Sequence, residues 1–312
     1  MPTTIRKIPL LWLLAFLACD EHPADDSPPD LERMDFSIIE IPREERIWSG
    51  QPRITLEIYF PADSQGIIIF QYHDSTYYHP MQLAHRQLWY MDSYYLTGEE
   101  EYLHRSELYA AKMLEYSMVT EQARYFYHSH DFFLHEIETD VMIAPWCSGM
   151  AQGDALSVFV RLYEATEKAE YLELAHQTFR SFTRFKGKSL PWTVRMDNDG
   201  YYWIEEYPFK GGTRVLNGFV YGLSGLYDYY ILTGDNAAKE LLQAALTTLY
   251  HYLPEYRVEG GASYYCLYHK LQSKVYHIRD HLPQLEYLFQ ITGDPHFETM
   301  YDLFYADYHE GN

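Results

Sequence analysis

The chain has 312 residues and carries 45 acidic side chains against 24 basic ones, a formal net charge of −21. That balance argues against nucleic acid and anionic membrane surfaces as main partners, because either polyanion is repelled at long range, as a polyanionic sugar would be also. A hydrophobic content of 47% suits one large globular core, whereas 32 tyrosines and 6 tryptophans are an excess of flat rings with polar edges, a composition that suits the handling of sugars even if most of these rings pack between helices.

Arg6 and Lys7 precede an apolar run over 8–18 that ends at Ala18-Cys19. The run is too short to span a bilayer, and the pattern predicts an export signal over 1–19. Cys19 followed by an acidic, proline-rich stretch resembles a bacterial lipoprotein. This implies a lipid anchor through Cys19 and a periplasmic or cell-surface location, with 20–45 an acidic linker that does not pack. Cys147 and Cys266 then remain, as a disulfide or as two buried thiols. No cysteine or histidine spacing argues for structural zinc.

Residues 46–75 read as a short β element, with strands at 54–60 and 66–70. From 76 to 312 the pattern is helical. Leu96-Thr97-Gly98-Glu99, Ala165-Thr166-Glu167-Lys168, Leu232-Thr233-Gly234-Asp235 and Ile291-Thr292-Gly293-Asp294 recur at a near-constant interval, each closing one apolar-periodic helix and opening another. The expected pairs are 79–96 with 101–118, 149–165 with 169–184, 215–232 with 236–253, and 279–291 with 295–308. Four such hairpins predict a mainly α protein, an (α/α) toroid or incomplete barrel, with a cleft at one end of its inner helices. The longest loops, 186–214 and 254–278, carry the chemically suggestive residues, and a strand pair is expected at 192–195 and 201–204.

Two stretches stand out. Pro145-Trp146-Cys147-Ser148-Gly149-Met150-Ala151-Gln152 opens one inner helix. Glu205-Glu206-Tyr207-Pro208 precedes another, which begins Val215-Leu216-Asn217-Gly218. Adjacent carboxylates beside Tyr-Pro favour a site over a solvated loop. Gln152 and Asn217 are placed either to bind sugar hydroxyls or to cap buried helix ends. His277 and His281 have a helical metal-ligand spacing, and His128 and His130 alternate, but neither pair has a third ligand at a telling distance. The segments 184–214 and 268–281 are locally basic, a pattern that would draw an anionic sugar inward.

Together these stretches resemble the C-terminal catalytic domain of the D-glucuronyl C5-epimerases, over about 145–303. The resemblance implies conversion of glucuronate to iduronate within an anionic uronic-acid polysaccharide, without cofactor or metal. It places acid–base chemistry on Tyr207, with Glu206 and Glu205 beside it, on Tyr265, and on Tyr276 or His277. Trp146, Gln152, Asn217 and His281 fall with the substrate-binding residues. Where the family has Tyr-Asp-Leu-Arg-His, this chain reads Tyr265-Cys266-Leu267-Tyr268-His269, so Arg195, Lys210, Arg214 and Arg279 are the cations left to hold a uronate carboxylate. Abstraction of the C5 hydrogen needs a base, a cation to take the charge that develops, and an acid on the opposite face. A β-eliminating polysaccharide lyase shares the first step. A glycoside hydrolase would use Glu205 or Glu206 with Asp154, and a non-catalytic glycan-binding lipoprotein also fits the aromatic richness.

Overall fold

The computed structural model describes residues 30–49, 55–57, 60–187 and 191–309. The export signal, Cys19, Lys188 and much of the expected 54–60 strand lie outside the described residues.

Helices α1 (Pro80–Thr97) and α2 (Glu100–Glu115) form the first hairpin, α3 (Gly149–Thr166) and α4 (Ala169–Arg180) the second, and α5 (Leu216–Thr233) and α6 (Asn236–Tyr256) the third. A short α7 (Lys274–Tyr276) runs through a π turn (His277–His281) into α8 (Leu282–Thr292), which pairs with α9 (Pro295–Asp307). Each Thr of the repeated motif does the same work. Its hydroxyl donates to the carbonyl four residues back, as Thr233 does to Tyr229, and accepts the N–H two residues ahead, here from Asp235. The next residue then turns left-handed at Gly98, Glu167, Gly234 and Gly293, returning its N–H to the helix just ended. Asp235 and Asp294 cap the helices that follow.

α3 and α5 are buried almost all round, and α3 lies between α1 and α5. Their backbones meet at Gly153 and Gly222, where a Cβ on Gly153 would overlap the Gly222 Cα and carbonyl. α1, α3, α5 and α8 are therefore the inner helices, as the repeat predicts, and α2, α4, α6 and α9 the outer ones. No helix among the described residues is long and apolar enough to cross a membrane.

Short antiparallel pairs decorate this frame. β1 (Phe70–Tyr72) pairs with β2 (Ser75–Tyr77), and β3 (Ser117–Thr120) with β4 (Ala123–His128). β5 (Phe132–Phe133) pairs with β6 (Val141–Met142), while β7 (Trp146–Cys147) adds to β4. β8 (Val194–Met196) pairs with β9 (Tyr202–Ile204) across a turn built on Asp197 and Gly200, as expected.

Three expectations are corrected. The β element begins later than the 46–75 reading: the described residues of 55–60 are irregular, and Ile68 makes only a single bridge to Ala62 before the β1–β2 hairpin. Residues 30–45 are not a loose linker. Phe36 and Ile41 are buried in the main core, and backbone bonds join Ile39 to Ile291 and Ile41 to the Tyr227 hydroxyl. α2 stops at Glu115, because Ser117–Thr120, ending in the β-branched Val119 and Thr120, pair in the β3–β4 hairpin. Cys147 and Cys266 are both free, buried thiols.

Candidate active site

The inner helices enclose a cavity of about 760 Å³. α1 contributes His85 and Trp89, α5 Asn217 and Tyr221, and the π turn and α8 Arg279, Asp280 and Gln284, with Glu206, Tyr207 and Tyr276 also on its wall. The chain over 45–49 closes one side and brings in Arg46 and Trp48. A smaller recess lined by His79, His128, Phe132, Trp146, Glu206 and Tyr207 lies beside it. The two spaces share Glu206 and Tyr207.

β9 delivers the two glutamates to opposite fates. Glu205 is fully buried, and its carboxylate is filled. Oε1 accepts from Arg195 Nε at 2.8 Å, and Oε2 from the backbone N–H groups of Thr213 at 2.8 Å and Arg214 at 2.9 Å. Gly212, at φ +103°, leaves the space this carboxylate occupies, since a Cβ there would collide with it. Glu205 and Arg195 are therefore not substrate ligands, as their sequence context suggested, but the lock that folds 205–214 back on itself.

Glu206 points the other way, into the cavity. It packs against Gly218, where any Cβ would strike its carboxylate, and the Tyr265 hydroxyl donates to it at 3.2 and 3.3 Å. Burial pushes its pKa up to about 7, with Tyr265 and Tyr207 opposing the shift and Asp154 and Asp280 adding to it. Tyr207 stacks on Phe132 with centroids 5.6 Å apart and leans on Trp146 at 5.9 Å. Tyr265 is buried behind this wall rather than on it, and its ring lies 4.6 Å from that of Tyr276. Burial first, and then the charge of Glu206, raise the pKa of all three tyrosines. Arg279 only partly offsets this for Tyr276.

The choice between Tyr276 and His277 has a geometric answer. His277 is buried away from the cavity. Its Nδ1 accepts from the Ser263 N–H at 2.9 Å, and its Nε2 donates to the carbonyls of Phe304 at 3.1 Å and Tyr308 at 2.9 Å. It ties the loop to α9 and has no lone pair left for chemistry. His281 is likewise buried, with Nδ1 on the Ser263 hydroxyl at 2.7 Å. The two histidines share a serine rather than a metal.

Among the other expected residues, Gln152 is a structural cap. It accepts from the Phe126 N–H at 2.8 Å and donates to the Arg124 carbonyl and the Ser181 hydroxyl. Asn217 does line the cavity, with its Oδ1 buried and unpaired. Trp146 stacks on His128 at 3.8 Å and donates to the His130 carbonyl. The basic segments do not gather around the cavity. Lys210 is paired with Asp140 at 3.1 Å, and the Arg214 guanidinium lies 4.9 Å from the centre of the Trp203 ring. Arg279 alone of the four expected cations reaches the wall, 3.0 Å from Asp280 and 5.3 Å from the Tyr276 ring centre.

The profile of the family described as D-glucuronyl C5-epimerase C-terminus matches residues 121–306. The chain belongs to that family. It is 34% identical over 140 residues to a D-glucuronyl C5-epimerase of Caenorhabditis elegans, a match covering 41% of this chain and only 22% of the relative's length. The fold is also similar to that of a cellobiose 2-epimerase from Bacillus thermoamylovorans (TM-score 0.51, 12% identity, 73% of this chain and 60% of the other). An α-1,6-mannanase from a Salegentibacter species gives a TM-score of 0.50 at 14% identity, over 75% of this chain and 62% of the other. At such identities the likeness is one of fold, the (α/α) toroid.

The sequence reading missed His85, Trp48, Trp89, Tyr221 and Asp280. His85 and Trp89 share a helical face with Met81 and Gln82, an arrangement legible as an inner stripe. His85 Nε2 meets Asp154 at 2.9 Å, so the carboxyl that a hydrolase would use is buried and already engaged. Trp48 stacks on Tyr221 at 4.5 Å and has no local signal at all.

Proposed function

We propose that this chain epimerises uronic acid residues at C5 within an anionic polysaccharide, after export from the cytoplasm, with Glu206 as the base. One observation carries the reading: a buried carboxyl with a pKa of about 7 shares a cavity wall with two phenols that hold their protons firmly. A carboxylate with a raised pKa is a stronger base at neutral pH than an ordinary one. The family resemblance puts the acid–base chemistry chiefly on tyrosines, but a tyrosine base needs a lowered pKa, and burial beside Glu206 drives these the opposite way.

In the proposed step Glu206 removes the C5 hydrogen as a proton, and the electron pair moves into the adjacent carboxylate. Arg279 holds the resulting enediolate charge. Tyr276 or Tyr207 then delivers its phenolic proton to C5 from the opposite face, and Glu206 returns its proton through solvent to the phenolate. Tyr265 acts through Glu206, positioning it by the hydroxyl that donates to its carboxylate. Trp48, Trp89 and Tyr221 offer rings to the C–H faces of flanking sugars.

The test is incubation with glucuronate polymers in heavy water. Deuterium at C5 together with iduronate, and no ultraviolet absorbance of a 4,5-unsaturated uronate, is the expected result. Unsaturation with chain cleavage would instead establish a lyase. Bound glycan with neither signal would reduce the chain to a binding protein.

A further inference from the structure

We infer that His135, Cys266 and His269 form a binding site for a thiophilic divalent cation, of which zinc is the best match. The inference does not depend on the epimerase reading. Cys266 Sγ lies 3.6 Å from His135 Nε2 and 3.5 Å from His269 Nδ1, and the three atoms all lie within 4.8 Å of one another. A tetrahedral zinc with bonds of about 2.3 Å to sulfur and 2.0–2.1 Å to nitrogen separates those ligands by roughly 3.6 Å. The sulfur therefore stands at ligand spacing from each of the two nitrogens.

The tautomers agree. His269 Nε2 meets Asp140 Oδ2 at 2.9 Å, so in the neutral ring that nitrogen carries the proton and Nδ1 turns a bare lone pair toward the sulfur. This is the carboxylate–histidine–metal arrangement that orients a ligating imidazole. Lys210 in turn pairs with the same aspartate. A thiol meets these two nitrogens only through weak bonds, donating to His269 Nδ1 and accepting from His135 Nε2, whereas a dication bound to the thiolate ligates all three groups. Cys266 is fully buried, and His269 only slightly exposed. His135 reaches the cluster from a left-handed backbone at φ 53°, ψ 29°, a conformation that a residue with a Cβ keeps only when its surroundings enforce it.

His135 is 131 residues from Cys266, which is why no motif announces the site. Its place gives it a role. The cation would pin the β5–β6 loop to Cys266, the residue next to Tyr265, whose ring lies 5.4 Å from that of His135. One donor set of sulfur and two nitrogens leaves a fourth position for water.

The experiment is titration of the chelator-treated full-length protein with Co²⁺, followed by absorption. Wild type is expected to bind one equivalent, with a thiolate-to-cobalt charge-transfer band and the intense visible bands of a tetrahedral ion, and Zn²⁺ should displace it. The charge-transfer band should vanish in Cys266→Ser and persist in Cys147→Ser. Absence of the band in wild type, or its survival in Cys266→Ser, overturns the site. If Cys266→Ser does not fold, X-ray absorption of the wild-type cobalt protein decides. One sulfur neighbour with nitrogen or oxygen completing the shell is expected, and a shell without sulfur refutes the inference.

Discussion

Replacing Glu206 with glutamine should stop turnover and yet strengthen the fold above neutral pH. The carboxyl titrates near 4.5 in an unfolded chain and at about 7 in its buried place beside Tyr265. That difference of about 2.5 units corresponds to about 3 kcal/mol. Below pH 4.5 both states are protonated and the group costs nothing. As pH rises the unfolded chain ionises first, so the cost grows and is complete above about pH 7. Glutamine imitates the protonated form at every pH and escapes it. Thermal melts of the two proteins should coincide near pH 4.5. At pH 8 the variant should melt higher by about 6–12 °C, for a domain in which each kcal/mol moves the midpoint by roughly 2–4 °C. In the same samples, deuterium incorporation at C5 should fall by about 10²–10⁴-fold, the usual worth of a positioned base, and wild-type kcat/KM should climb through pH 7. A variant no more stable at pH 8 than at pH 4.5, relative to wild type, would mean that Glu206 is ionised at low pH. Its assignment as the base would then fail.

Other outcomes separate the site from its scaffold. Of Tyr276→Phe and Tyr207→Phe, the one that removes the proton donor should lower kcat by at least about 10²-fold. His277→Phe should instead lower stability by about 2–4 kcal/mol, because it orphans the buried Ser263 N–H and the Tyr308 carbonyl at the end of α9. Glu205→Gln, read by denaturant unfolding, should cost about 3–5 kcal/mol, since Arg195 is left charged and buried without its partner. Arg279→Gln should lower kcat/KM for the polymer by about 10–100-fold, the worth of one charge-assisted hydrogen bond to the developing enediolate, and leave the melting temperature within a degree or two.

The helical hairpins were legible because their signals are local. Thr-Gly-Asp closes one helix through backbone bonds that reach four residues back and caps the next, and the apolar period of α3 and α5 continues through both helices. The motif Glu205-Glu206-Tyr207-Pro208 was equally plain as a site. Its division of labour was not. Two adjacent glutamates just past β9 face opposite sides, and only the tertiary structure decides that Arg195 and the 213–214 backbone fill Glu205 while Gly218 and Tyr265 frame Glu206. The same holds for Tyr276 and His277, successive residues of one helical turn that point to the cavity and to α9. Net charge along a segment likewise could not tell which cations reach the cavity, because a guanidinium or an ammonium goes to whichever partner the fold brings within a few ångströms. The sequence by itself determined the architecture and pointed to the segments that line the cavity, through contacts among near neighbours in the chain. The pKa of Glu206, the company of Trp48, and the meeting of His135 with Cys266 were decided by burial and by contacts between distant segments.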